Sequence, residues 1–149
     1  MNIFEKFFIK LYFAAKIPLI FFCRPKIIKS TTNEVVVKIP FIRRNKNHLG
    51  SMYFGSLSVG ADLAGGLIVL NCLRNKKSKA KLVFKDFKAN FLKRPNDHVY
   101  FQVKTDVALI NEKITENQIS GQRVNFPVNI LAICQDEIVA KFILTTSIK

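Results

Sequence analysis

"NHLGSMYFGSLSVGADLAGG", residues 47–66, decides the fold. The apolar run continues to Leu73 without a proline, and residues 47–73 hold one charged side chain, Asp62, in a chain whose formal net charge is +14. Ser51 has the chemistry of an N-cap, so residues 52–73 read as one helix of about 22 residues, some 33 Å long. Four glycines, Gly55, Gly60, Gly65 and Gly66, each cost such a helix roughly 1 kcal/mol against alanine. The smallness they provide must be put to use. With Ser56, Ser58, Ala61 and Ala64 they make a narrow rod on which a curved sheet can close. A bilayer-spanning helix shares the small-residue pattern, but an acid at its centre argues against that reading.

The flanks supply the sheet. Val35, Val37, Ile39 and Phe41 alternate before the polar "RRNKN", as a half-buried strand requires. In "KLVFKDFKANFLKRP" the alternation at Leu82 and Phe84 resumes out of phase at Phe87, Ala89 and Phe91, which predicts a bulge at Lys85 and Asp86. Val99, Phe101, Val103, Thr105, Val107 and Leu109 alternate after the turn "PNDH", and "NEKITENQISG" reads as a polar connector. Val124, Phe126, Val128 and Ile130 form the next strand; Ile138, Ala140, Phe142 and Leu144 form the last. The expected architecture is α+β: an antiparallel sheet of about five strands wrapped around one long central helix. At 149 residues this is expected to be one domain, residues 1–149, with residues 1–30 a helical segment packed on it.

At the amino terminus Phe4, Phe7, Phe8, Leu11, Ala14 and Ala15 follow helical spacing until Pro18, with Lys6, Lys10 and Lys16 elsewhere around the wheel. That amphipathic face can pack on the core or lie on an anionic membrane. The longest uncharged run there, residues 17–23, is far below the roughly 20 residues that span a bilayer, and charges interrupt any signal-peptide apolar region. Cys23, Cys72 and Cys134 are scattered and odd in number, and only two histidines are present. A disulfide framework or a metal site is therefore not expected; buried apolar roles in a reducing cytoplasm are.

Charge is uneven. Residues 1–46 carry ten Lys/Arg against two acids, residues 71–104 ten more against two, and residues 105–149 four against five. Such a field attracts phosphates, nucleic acid or anionic lipid. No nucleic-acid-reading motif accompanies it, so no nucleic-acid partner is expected.

Two features carry chemistry. A helix amino terminus presents unpaired N–H donors and partial positive charge, so the backbone of Tyr53, Phe54 and Gly55 can hold a developing oxyanion. Asp62, two turns further on in apolar surroundings, would lose hydration and become a stronger base; it can equally be a solvent-facing or structural acid. Asn47 is a turn former or a substrate-positioning group, and His48 a loop residue, a contact for a substrate phosphate or an acid in catalysis. Ser56 and Ser58 lack a histidine at any spacing that would make a nucleophilic triad.

The element order and the motifs "IPF", "NHLGSMYFG", "GADLAGG" and "FLKRP" resemble the hotdog-fold thioesterases, in particular small acyl-CoA thioesterases similar to the phenylacetate-pathway enzyme, and within them an uncharacterised bacterial subgroup. The resemblance covers residues 33–147. It implies a hotdog fold whose subunits pair edge to edge, with active sites at the dimer interface. It also implies a carboxylate in the central helix that acts on the thioester, here Asp62. An asparagine from the other subunit, Asn47, would place water or substrate. The amides of Phe54 and Gly55 would hold the thioester oxygen. Many relatives have His-Gly-Gly where this chain has Tyr53, Phe54 and Gly55.

The function this implies is hydrolysis of an acyl-CoA or acyl carrier protein thioester by a homodimer or dimer of dimers. Coenzyme A is part of the substrate, and no separate cofactor or metal is expected. Its phosphates would meet Arg74, Lys76, Lys77 and Lys79, or Lys93 and Arg94, with His48 and Tyr53 nearby. The alternative is a non-catalytic acyl-thioester or lipid binding protein on the same fold. A cytoplasmic location is expected, with peripheral membrane contact through residues 1–22 as the reading that the amphipathic face leaves open.

Overall fold

The computed structural model describes residues 16–149, so the amphipathic pattern of Phe4 to Ala15 lies outside the described residues. In chain order the elements are α1 (Pro18–Phe22), β1 (Lys26–Ser30), β2 (Val35–Ile39), a 3-10 turn (Arg43–Asn45), α2 (Phe54–Asn75), β3 (Leu82–Phe91), β4 (Val99–Val103), α3 (Val107–Ser120), β5 (Val124–Cys134) and β6 (Glu137–Ile148). The six strands form one antiparallel sheet in the order β1-β2-β4-β5-β6-β3. It wraps around α2, which is the hotdog arrangement.

Alternation builds the inner face. Val35, Val37 and Ile39 of β2 and Val124, Phe126, Val128, Ile130, Ala132 and Cys134 of β5 are buried, while the residues between them are not, as a period of two demands. The bulge expected in β3 is present: its register against β6 shifts between Phe84 and Asp86. A second irregularity explains a small departure in β6. Ala132 pairs with Ala140 but Ile133 with Ile138, leaving Val139 as the extra residue. Val139 is therefore buried and Ile138 exposed.

The small residues of α2 sit where sheet side chains approach. A Cβ on Gly60 would stand 2.5 Å from Cζ of Phe101, and one on Gly65 would stand 3.3 Å from Leu144 and 3.4 Å from Ile130. Glycine there lets the helix lie against large sheet residues without a gap. By length and composition α2 could cross a membrane, but the sheet buries it.

Three expectations are corrected. Residues 26–30, taken into the amino-terminal helical segment, form the edge strand β1, paired with β2. The strand drawn through Val107 and Leu109 ends at Val103, and the "polar connector" is the helix α3. Asp106 caps that helix by accepting from Ala108 N at 2.8 Å, Ile110 and Ile114 are its buried residues with Asn117, and Gly121 ends it at φ 65°. The alternation at 103–109 continued only by coincidence; the spacing 107, 110, 114 is helical. Finally, α2 starts at Phe54 rather than after Ser51. Tyr53 N donates to Asn45 O and Met52 N to Pro95 O, so tertiary bonds hold those residues outside the helix.

Candidate active site

Most of α2 is buried, and between Ser56 and Leu70 the exceptions form one row. Phe54, Ser58, Asp62, Gly66 and Leu70 recur every four residues and are all partly or largely exposed, a stripe that winds about 160° around the helix from end to end. Beside it runs β3. Its bulged half turns Phe87 and Phe91 inward, where their rings stack on Phe142 at 5.6 Å and 5.8 Å. Phe91 meets Phe54 at 6.2 Å near one end of the stripe, and the Phe84 ring reaches within 3.7 Å of a Cβ on Gly65 near the other. The stripe and the aromatic side chains of the edge strand thus lie side by side. Phe87 and Phe91 are still half-exposed.

Asp62 lies at the middle of that stripe. Among the described residues no hydrogen bond and no ion pair reaches its carboxylate. Burial pushes its pKa above the ordinary carboxylate range, with desolvation as the cause. A carboxylate that has lost water without gaining a donor is a stronger base than a solvated one.

The helix start is the second half of the site. Tyr53 is the N-cap and makes no side-chain capping bond, and the first intrahelical acceptor, Tyr53 O, is taken by Leu57 N. The amides of Phe54, Gly55 and Ser56 therefore have no acceptor among the described residues. The Tyr53 ring packs over Gly55 and lies 4.8 Å from the Phe54 ring. Gly55 and Asp62 are seven residues apart, about 10 Å along the axis.

Asn47 shapes the loop before the helix. Its Oδ1 accepts from Leu49 N at 3.0 Å and Ser51 N at 3.1 Å, while Nδ2 donates to Ser51 Oγ at 3.0 Å. Within its own chain it acts as a turn former. His48 is exposed at the tip of that loop. The neighbour that sequence reasoning missed is Asn45, fully buried. Its Nδ2 donates to Cys23 O at 2.9 Å and Pro40 O at 2.8 Å, and its Oδ1 accepts from Ser56 Oγ at 3.3 Å. It ties α1, β2 and α2 together at the helix start, and nothing in "RRNKN" distinguishes it from a solvated loop residue.

The two basic groups lie at opposite ends of α2. Arg74, Lys76, Lys77 and Lys79 follow its carboxyl end; Arg74 is twelve residues, about 18 Å, beyond Asp62. Lys93 and Arg94 follow β3, whose last residue meets the amino end. Lys93 pairs with Glu137 at 2.8 Å, and Lys76 donates to Thr115 Oγ1 at 3.4 Å.

Other nucleophiles are disfavoured. Ser56 Oγ donates to Asn45 and Ser58 Oγ to Phe54 O. His98 uses Nδ1 to accept from Phe41 N at 2.9 Å. All three cysteines are free and buried, and burial raises the Cys23 and Cys72 thiols.

Solved structures share this architecture. A Pseudomonas aeruginosa protein described as a "Probable Thioesterase" superposes with a TM-score of 0.81 at 19% identity, covering 97% of this chain and 95% of its own. A Chlorobaculum tepidum protein of unknown function gives 0.84 at 14% identity, with 97% and 93% covered. A Haemophilus influenzae thioesterase gives 0.66 at 14%, with 93% and 87% covered. At such identities the likeness establishes the fold. No curated protein matches the chain. Residues 8–144 match the model of the family described as "Putative thioesterase (yiiD_Cterm)"; the chain belongs to that family, and with it to the hotdog thioesterases.

Proposed function

We propose that the chain hydrolyses an acyl thioester, with coenzyme A as the carrier, and that Asp62 is the catalytic carboxylate. The observation that carries this reading is Asp62 itself: a partner-free, desolvated acid at the middle of the partly exposed stripe of α2, along which β3 runs. Acting as general base, Asp62 takes a proton from water as the water oxygen attacks the thioester carbon. The carbonyl electron pair moves onto oxygen; as it returns to re-form the C=O bond of the carboxylic acid the C–S bond breaks, and the leaving thiolate takes the proton held by Asp62 to give the free thiol.

Oxyanion donors must lie about 3 Å from the oxygen, and the attacking atom at about 3 Å from the same carbonyl carbon. With a water between Asp62 and that carbon, a separation of about 10 Å along one helix meets both conditions only if donor, carbonyl, water and carboxylate lie almost fully extended. The reading therefore includes a dimer in which two α2 stripes run antiparallel, so that one protomer's Asp62 faces the helix start of its partner. The acyl chain would lie along Phe84, Phe87 and Phe91, of which Phe87 and Phe91 are half-exposed.

The test is thiol release from short, medium, long and aromatic acyl-CoAs by the purified chain beside Asp62→Asn. Hydrolysis lost by at least about a hundredfold in the variant supports the assignment. Equal rates in both proteins would sink it, and acyl-CoA stabilisation without thiol release would favour the non-catalytic binding reading.

A further inference from the structure

We propose that the exposed face of α1 and the arginines beside it form a docking surface for an anionic lipid bilayer. Helix α1 buries Ile20 and Cys23 and turns the rest outward: Leu19 is 64%, Phe21 50% and Phe22 51% exposed. Single apolar residues on a surface are ordinary, but three within one turn make a patch that calls for a partner.

The sequence gives no sign of what stands next to that patch, because the neighbours come from twenty residues downstream. Asn45 bonds Cys23 O, and Arg44 donates from Nη1 to Phe22 O at 3.2 Å. The Arg44 guanidinium lies 4.8 Å from the centre of the Phe22 ring. Arg43 and Arg44 are exposed, as are Lys16 and Arg24 at the two ends of α1. Residues 16–50 hold eight Lys/Arg and one acid, Glu34, and Lys29 already pairs with Glu34.

That composition selects the occupant. A second copy seated face to face here would oppose cations to cations, with Glu34, already paired with Lys29, as the one carboxylate among the described residues up to Gly50, and like charges brought together repel. An anionic bilayer supplies both complements, phosphates for the arginines and an acyl boundary for Leu19, Phe21 and Phe22, the combination by which amphipathic surfaces hold membranes. Arg44 keeps its contact with Phe22 while presenting its charge at headgroup level.

The experiment is co-sedimentation of the full chain with phosphatidylcholine vesicles, with and without phosphatidylglycerol, at low and high salt. Binding is expected with phosphatidylglycerol, falling as salt rises. The double variants Phe21→Ser/Phe22→Ser and Arg43→Gln/Arg44→Gln should each weaken it by roughly tenfold or more. Thermal unfolding of both variants, close to that of the parent, will show that the loss is not misfolding. The proposal is overturned by no binding to anionic vesicles at low salt, or by binding that survives both variants. Self-association abolished by the phenylalanine variants would also overturn it. Vesicle binding does not read turnover, so the result stands whether or not the chain hydrolyses thioesters.

Discussion

The ring of Tyr53 lies across Gly55, so that a carbon added to Gly55 would stand 2.9 Å from Cδ1 of that ring. Tyr53 is 45% exposed and can swing outward, and at the second residue of the helix alanine gains only part of the roughly 1 kcal/mol that it gains over glycine in a helix interior. Gly55→Ala should therefore leave the melting temperature nearly unchanged. The added methyl and the displaced ring crowd the free amides, and kcat/KM for acyl-CoA should fall by roughly tenfold or more. Unaltered kinetics would remove these amides from the mechanism.

Gly60 and Phe101 make the opposite case with the same substitution. A Cβ on Gly60 would lie 2.5 Å from Cζ and 2.6 Å from Cδ2 of a ring that is 0% exposed. That ring has no solvent to retreat into. Gly60→Ala should cost about 2–3 kcal/mol by urea unfolding, and Phe101→Leu in the same chain should recover part of the loss.

Asp62 links activity and stability to pH in opposite senses. Its folded pKa is raised by desolvation from 3.8, so folding favours the protonated form. The associated stability is present below the unfolded value and is lost as pH rises through the folded one. In the proposed mechanism the carboxylate is the base, so turnover should rise with pH across the same interval, with a midpoint above the ordinary aspartate range. Asp62→Asn removes the cost of a desolvated charge, so at neutral pH it should raise the melting temperature by roughly 2–5 °C while abolishing that pH step. A variant less stable than the parent at neutral pH would contradict the sign.

Asn45→Ala should destabilise by about 2–4 kcal/mol. It strands two buried carbonyls, of Cys23 and Pro40, and the hydroxyl of Ser56, and unsatisfied buried groups carry their desolvation cost. Chemical denaturation measures this. Asn47→Ala removes bonds in a more exposed turn and should cost less than half as much.

The parts of the fold legible in the sequence are those in which local pattern and tertiary role agree. The uncharged run with one acid became α2, the alternation of β2 and β5 became their buried faces, and the phase slip in "KLVFKDFKANF" became the bulge at Phe84 and Asp86. Where pattern was ambiguous the reading failed. "KIIKS" is too short and too exposed to announce a strand, and β1 exists because β2 offers it an edge. Val107 and Leu109 fit both periods until Ile110 and Ile114 meet the core.

The candidate site divides along the same line. Asp62 stands out in sequence because a lone acid in an apolar helix is a local fact, and so are the small residues around it. Which face of α2 stays uncovered, that Phe91 meets Phe54, that Arg44 stacks on Phe22 and that Asn45 rather than Ser51 organises the helix start are relations between residues distant along the chain. Composition and periodicity determined the helix, the sheet and the acid between them; packing decided what the acid faces, because contact between remote segments is set by how their surfaces fit and not by the order of either one.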